Sequence, residues 1–594
     1  MTFPLRKQRL RDAVSRILRH GTPAFMLPVM ALSVSPHAMA VTLPADAGTV
    51  SNQTGQLTPP SVPEVITPEL PSLPLPSSSG RSGNDSAYLI LRQVVLSGAP
   101  ASAGHAADAV IRSFTGRRLN MNDLRDLTSR LTALYRQQGM MLARVILPPQ
   151  TVRDGVLHLT ILPGINGHND LVSDAPVWDA LLSRMMQDAL PEGETVTRER
   201  MERLALLVGE IPGVSGRLQL APGQHTGETA ITLHASRTQR AGGYVGANNQ
   251  SSPVTGRSRI FAGAWVNGLA GTGDRLSAEG SLGYEHNGLV NGRLDYSTLV
   301  SPYGTRAGIS YSRLDYRYTF SSLKFRGWSD NWEARVVHPL VRSGRAQVNL
   351  RASAGQSFMT DRYPSPLDVV GDEGKKTATT GSIGIAGNAL STPGGVTGGS
   401  LDFITGRVRY RDTAATFWSG ADMRHSDDSF FTTVWQLRHE QTLYGPFTAM
   451  AQVRGQFTNR NLDSSQKFLL GGAVSVRAYD VGAGAVDDGA VATAEVRWRH
   501  ALPATAWTGG SPFVTLGSFF DYGQGRQNHN NTLSGSTLST QNQVQLAGGG
   551  VYATLGVPDN WSLSATLARR ATGEDPVSGE RDDYRAWLSA VKMF

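Results

Sequence analysis

Ala346-Gln347-Val348-Asn349-Leu350-Arg351-Ala352-Ser353-Ala354-Gly355 is the stretch that decides the fold. Apolar and polar residues alternate strictly along it, the period of a strand with one apolar and one polar face. The period returns at Ala307, Ile309 and Tyr311, which alternate with Gly308, Ser310 and Ser312. It returns again at Phe447, Ala449, Ala451, Val453 and Phe457, and at Trp561, Leu563, Ala565 and Leu567. From about residue 238 to the end no helical period interrupts it, and this segment holds 47 of the 65 Gly and nine of the ten Trp. A soluble sandwich needs seven to nine strands over about 100 residues. Alternation sustained for far longer, with small Ala beside Trp and Tyr on one face and Arg, Gln and Asn on the other, fits a lipid-facing exterior around a wet lumen. At roughly 20–24 residues per strand and loop, residues 238–594 accommodate about 16 antiparallel strands of a transmembrane barrel. A soluble β-helix is the alternative, and no short coil-length repeat supports it. The chain ends on Phe594, with Tyr584, Ala586, Leu588 and Ala590 on the same face and Lys592 interrupting it.

Outward from this segment the pattern changes. In residues 87–237, strands are expected at 88–95, 141–147 and 156–162. A helix with Leu124, Leu127, Leu131 and Leu134 on one face begins near Asn122 and stops at Gly139. The cycle repeats with helices at 177–186 and 198–209, a stop at Pro212-Gly213, and strands at 218–220 and 230–234. Two units with the same element order, 87–164 and 165–237, read as a duplicated α+β module. Residues 41–86 are a Pro/Ser-rich linker, since prolines at 44, 59, 60, 63, 68, 71, 74 and 76 block helices and sheets. Residues 1–40 read as a signal peptide. Arg6, Lys7, Arg9, Arg11, Arg16 and Arg19 precede a short apolar run, and Ala38-Met39-Ala40 offers a cleavage site before Val41. That run contains Pro28 and is about half the length of a membrane anchor.

Composition excludes several function classes. The chain has 594 residues, of which only 18% are charged, and no Cys. Disulfides, thiol nucleophiles and Cys-ligated metal are thereby excluded. The formal charge of +8 is concentrated in residues 1–40, and the remainder carries 50 basic and 47 acidic residues. No nucleic-acid partner is expected. The 13 His show no metal-binding spacing, and Gly482-Ala483-Gly484 has neither a preceding βα unit nor a Walker lysine. His425-Ser426-Asp427-Asp428 carries triad residue types, but adjacency is not triad geometry, and a solvated loop is expected there. The chain is read as a non-enzyme with no cofactor and no metal.

One region is more specific. Gly471-Gly472 is followed by Val476-Arg477-Ala478-Tyr479, then by Asp488-Gly489 and by Glu495 in Glu495-Val496-Arg497-Trp498. Here the chain resembles the two-partner secretion transporters, the TpsB family of haemolysin and adhesin secretors (ShlB/FhaC/HecB type). Leu147-Pro148-Pro149-Gln150, Ile211-Pro212-Gly213-Val214, His338-Pro339-Leu340 and Phe519-Phe520-Asp521-Tyr522-Gly523 extend the resemblance over 87–594. Two departures stand out. Ala478 replaces the commoner Gly, which removes freedom at positive φ, and residues 41–60 lack the pattern of the family's N-terminal plug, so no plug helix is expected.

The resemblance implies an outer-membrane translocator that takes an unfolded exoprotein from the periplasm through two POTRA-like modules and secretes it through the barrel, with a loop near 471–490 folded inward. A barrel-assembly insertase and a passive porin are the alternatives. The implied partners are a large secreted β-helical exoprotein of adhesin or haemolysin type, outer-membrane lipid and periplasmic chaperones, and the transporter itself is expected to be monomeric. Asp521 shares a strand face with Thr515, Gly517 and Gly523, the small and polar side expected to line the lumen. Arg477 and Asp521 are therefore expected to form a charge-assisted lock, bidentate if geometry permits. The alternative is an Arg477 that meets only water or lipid headgroups.

Overall fold

The computed structural model describes residues 45–55, 88–98, 104–285, 288–320, 322–365, 367–504, 509–533, 536–572 and 583–594. The expected signal peptide and most of the 41–86 linker lie outside the described residues.

Among the described residues the first element is a nine-residue helix, α1 (Ala47–Gly55). This overturns the expectation of no plug helix. No apolar stripe betrays α1, because only Ala47 and Val50 of its residues enter an apolar cluster of the lumen, and its other buried residues are Gly48 and Gln53. Two modules of one topology follow. The first consists of β1 (Gln93–Ser97), α2 (Gly104–Arg112), α3 (Met121–Gln137), β2 (Arg144–Ile146) and β3 (Val156–Leu162). In its sheet β1 runs parallel and β2 antiparallel to the central β3. Asn120 and Asp123 form a reciprocal capping box at the start of α3, whose buried Leu124, Leu127, Leu131 and Tyr135 close the module core. The second module repeats this with β4 (Ile165–Ser173), α4 (Asp179–Ala189), α5 (Arg198–Gly209), β5 (Val214–Pro222) and β6 (Glu228–Arg237). Again the central strand, β6, has one parallel neighbour, β4, and one antiparallel, β5. Helix α2 and strand β4 were not among the expected elements, since Ile165-Asn166-Gly167-His168-Asn169-Asp170 is too polar to register as a strand.

Sixteen antiparallel strands then close on themselves. The first eight are β7 (Ala241–Asn248), β8 (Arg259–Asn267), β9 (Arg275–Gly283), β10 (Gly288–Leu299), β11 (Arg306–Phe320), β12 (Leu323–Arg342), β13 (Ala346–Arg362) and β14 (Glu373–Thr392). The rest are β15 (Gly395–Tyr410), β16 (Ser429–Thr442), β17 (Phe447–Thr458), β18 (Asp488–Ala501), β19 (Phe513–Arg526), β20 (Gln543–Val557), β21 (Trp561–Arg570) and β22 (Tyr584–Met593). Closure satisfies every ladder without an open edge, the condition for a sheet to cross lipid. The quoted stretch lies in β13, with Leu350 exposed on its outer face. Closure is thinnest where β22 meets β7, over five residue pairs from Ser589↔Asn248 to Met593↔Tyr244. Phe594 extends this seam by exchanging backbone hydrogen bonds with Gly243, at 2.8 and 3.0 Å.

Because β7 follows the second module directly, the end of the barrel where β7 begins is the periplasmic one. The second module is joined to that end. Arg342 bonds Glu210 at 2.6 Å, and Leu299 of the barrel enters the module core beside Ile211. At the opposite end the segment between β17 and β18 does not project outward. Residues 459–487 fold back between the strands, and Leu470, Val476, Ala478, Tyr479 and Ala483 form a core with Val491, Phe519 and Leu546 of the barrel wall.

Candidate functional site

The site is built where the in-folded loop meets the inner wall. Burial alternates along β19, with Phe519, Asp521, Gly523 and Gly525 inward and Phe520 and Tyr522 outward. The loop can approach because this wall lacks side chains. A Cβ on Gly523 would lie 2.9 Å from Val476, and one on Gly548 of β20 would lie 2.3 Å from the Ala478 Cβ. Ala478 is not among the residues at positive φ, so it replaces glycine without strain, the missing volume being supplied by Gly548 across the contact. Gly472, by contrast, sits at φ +137° and makes the turn after Gly471.

Arg477 meets Asp521 in a bidentate pair. Nε donates to Oδ2 and Nη2 to Oδ1, both at 2.8 Å, and the Arg477 backbone N–H adds a third bond to Oδ2 at 3.1 Å. Thr493 of β18 donates to the same carboxylate at 2.9 Å. The free guanidinium edge reaches Glu495 at 2.7 Å, and the guanidinium carbon lies 3.4 Å from the centre of the Phe519 ring. Glu495 in turn holds Arg497 at 2.9 Å and accepts from Tyr552 at 3.2 Å. Asp521 is completely buried and the Arg477 side chain is 13% exposed. Asp521 thus accepts four hydrogen bonds, and each guanidinium nitrogen of Arg477 meets a carboxylate oxygen, as a stable buried pair requires.

The neighbouring motif residues carry the loop to other strands. Trp587 of β22 donates to the Arg477 carbonyl at 2.8 Å. Tyr479 is fully buried, and its hydroxyl donates to the Thr572 carbonyl. Asp480 accepts from Arg585 of β22 at 2.9 Å and from Arg257, just before β8, at 3.0 Å. It therefore spans the short β22–β7 seam from inside. Asp488, at the start of β18, accepts from the Thr458 backbone at 2.9 Å and pairs with Arg526 and His529, while Gly489 passes so close that a Cβ would sit 2.8 Å from Val486. Val476, Arg477, Asp521 and Glu495 thus converge on one centre. Ala478 and Tyr479 brace it, while Asp488 and Gly489 fix the loop's exit instead.

A second group completes the lumen, and nothing in the chain's local patterning points to it. Lys376 of β14, 3% exposed, donates to Asp46 at 2.5 Å and Asp463 at 2.8 Å. Ser464 donates to Asp46, and Asn52 of α1 donates to the carbonyls of Ser464 and Lys467 at 3.2 and 2.7 Å. The Ala47 N–H donates to Asp361 at 2.7 Å. Gly482, at φ +95°, passes against Gln53 where no side chain would fit. The helix is fastened to the same loop that carries Arg477. Residues more than 300 positions apart supply the bonds to α1, so no local spacing records them.

Residues 227–551 match the family model for the haemolysin secretion/activation protein ShlB/FhaC/HecB, and residues 89–164 match the ShlB-type POTRA domain. A heme/hemopexin transporter protein, HuxB, of Haemophilus influenzae is 29% identical over 489 residues, 82% of this chain and 83% of that one. The outer membrane transporter CdiB of Dickeya dadantii is 23% identical over 81% of this chain and 80% of its own length. Among solved structures, CdiB from Escherichia coli superposes with a TM-score of 0.67 at 19% identity, covering 94% of this chain and all of that one.

Proposed function

The chain belongs to the haemolysin secretion/activation family ShlB/FhaC/HecB, and from that premise we propose how this two-partner secretion transporter of the outer membrane holds and releases its channel. It exports a secreted exoprotein partner and is not an enzyme. The observation that carries the reading is the joint occupation of the lumen by α1 and the in-folded loop, tied to each other through Lys376, Asp46 and Asp463. An extended chain cannot pass while both are in place, so this is the resting arrangement, and the passenger displaces α1.

Arg477, Asp521 and Glu495 keep the loop anchored to the wall while the helix leaves. Val476, Ala478 and Tyr479 seat that anchor. Gly471 and Gly472 shape the turn before it, and Asp488 and Gly489 shape the exit. The two modules hold the unfolded passenger under the pore, each offering a sheet edge for strand addition. The passenger is a large β-helical exoprotein of adhesin or haemolysin type, whose folding outside the cell biases movement outward, and the transporter acts as a monomer. Export of the cognate passenger into the medium, normalised to inserted barrel, tests this. Deleting 87–237 should leave an inserted barrel with export abolished, and unchanged export would reassign the modules to a structural role.

A further inference from the structure

Strands β11 to β15 are 15 to 20 residues long, although about 9–11 suffice to cross a bilayer. Their excess stands at the cell-surface end. The inward face of that excess is apolar, with Tyr316, Tyr318, Phe325 and Met359 buried around α1. The outward face carries a row of cations. Arg317 of β11 lies directly opposite Arg326 of β12, and Arg326 directly opposite Arg362 of β13. Three guanidinium groups therefore stand in one row across three neighbouring strands, about 5 Å apart from strand to strand. Lys324 stands one step above the row, on the same outward face.

Like charges directly opposite on a sheet destabilise it, so such a row calls for a counter-charge. Among the described residues only Arg362 has one, Glu373 at 2.9 Å, and Glu373 is shared with Lys375. Arg317, Lys324 and Arg326 are exposed and enter no ion pair among the described residues. Below the row on the same outer face come Arg313, which is already ion-paired with Asp315 and Asp330, and Arg409 and Arg407. Tyr311 and Trp332 follow, their ring centres 4.6 Å apart and their planes tilted by 41°, in the position of the aromatic girdle that marks a lipid–water boundary. The row thus stands above this girdle, at the level of the outer-leaflet headgroups, around a concave surface lined by Arg317, Lys324, Arg326 and Arg362 together with one acid, Asp372.

We propose that the outer wall of β11–β13 at the cell surface binds the phosphorylated sugar headgroup of an outer-leaflet glycolipid. Forked guanidinium groups match phosphate oxygens in geometry as well as charge, and a lipid already resident in that leaflet is presented at the right height. Bound there, the headgroup neutralises the row and steadies the long strands whose inner faces hold α1.

The full-length protein, purified in detergent, is titrated with bis-phosphorylated lipid A, with the same lipid A stripped of phosphate, and with inorganic phosphate. Replacing Arg317, Arg326 and Arg362 together by Gln should weaken lipid A binding about 100-fold, while the corresponding triple Lys variant should stay within about tenfold of the parent. The dephosphorylated lipid should bind as weakly as the Gln variant does to lipid A, and inorganic phosphate at equal concentration should not displace lipid A. Undiminished binding by the Gln variant, or by the dephosphorylated lipid, would overturn the proposal in favour of an unspecific apolar wall. Displacement by inorganic phosphate would overturn it in favour of a free-anion site. If the triple variant does not insert, Arg326→Gln alone is read in the same way, with a loss of about fivefold expected and none overturning the proposal.

Discussion

Arg477 is held by two carboxylates and an aromatic face, and the three contacts are not equivalent. Asp521 has no exposure at all and takes two bonds from the guanidinium, whereas Glu495 divides its oxygens among Arg477, Arg497 and Tyr552. Removing the arginine leaves Asp521 buried with only Thr493 and a backbone N–H, at a cost of roughly 3–5 kcal/mol for breaking a buried pair. Arg477→Ala and Asp521→Ala should therefore abolish passenger export while inserted barrel stays near wild type. Export at wild-type level by both would remove the pair from the mechanism. Glu495→Gln should be milder, since the amide still accepts a hydrogen bond from Arg477. A double-mutant cycle on export then reads the coupling. Ala478 makes a different point. Gly548→Ala should disrupt loop seating because its new methyl would lie 2.3 Å from the Ala478 Cβ, and Ala478→Gly in the same chain should restore export only in part, since the Arg569 carbonyl oxygen stays 2.8 Å from that methyl.

Among the elements, α1 depends most on others. Nine residues form a marginal helix on their own, and its hold comes from Lys376, Asp361 and the loop residues Asp463, Ser464 and Lys467. Lys376→Ala leaves Asp46 and Asp463 facing each other without their cation, which by the same buried-pair reasoning costs several kcal/mol. The helix should then leave the lumen more often. Planar-bilayer recordings should show larger and more frequent conductance steps for Lys376→Ala, and a channel open most of the time once residues 45–55 are deleted. Unchanged conductance after the deletion would mean that the in-folded loop alone closes the pore.

For the whole molecule, the seam between β22 and β7 is the weakest part of the closed ladder, and Asp480 crosses it with two arginines. The lumen route and the seam route are separable because the chain has no native Cys. Ala247 and Ala590 face each other across the seam. Cys introduced at both positions should form a disulfide that keeps the seam shut, and export should persist if the passenger travels through the lumen. Loss of export on oxidation, recovered on reduction, would place the route through the seam instead. The mature protein should also run as a heat-modifiable band from the outer-membrane fraction, since closure of the ladder resists detergent until it is heated.

The barrel was legible in residue order because lipid outside and water inside impose a two-residue period on every strand, and 346–355 shows it plainly. Arg477 and Asp521 were legible for a related reason. One lies in a motif, and the other has small residues beside it on the inward face of its strand. Helix α1 was not legible, because only Ala47 and Val50 of its residues reach an apolar cluster and its polar contacts lie in strands and a loop more than 300 residues away. The Phe519 ring under Arg477, the Asp480 clasp and the row Arg317–Arg326–Arg362 were hidden likewise. Alternation determines which face a residue occupies. Only the register between strands, set by the closed barrel, decides which charges stand side by side.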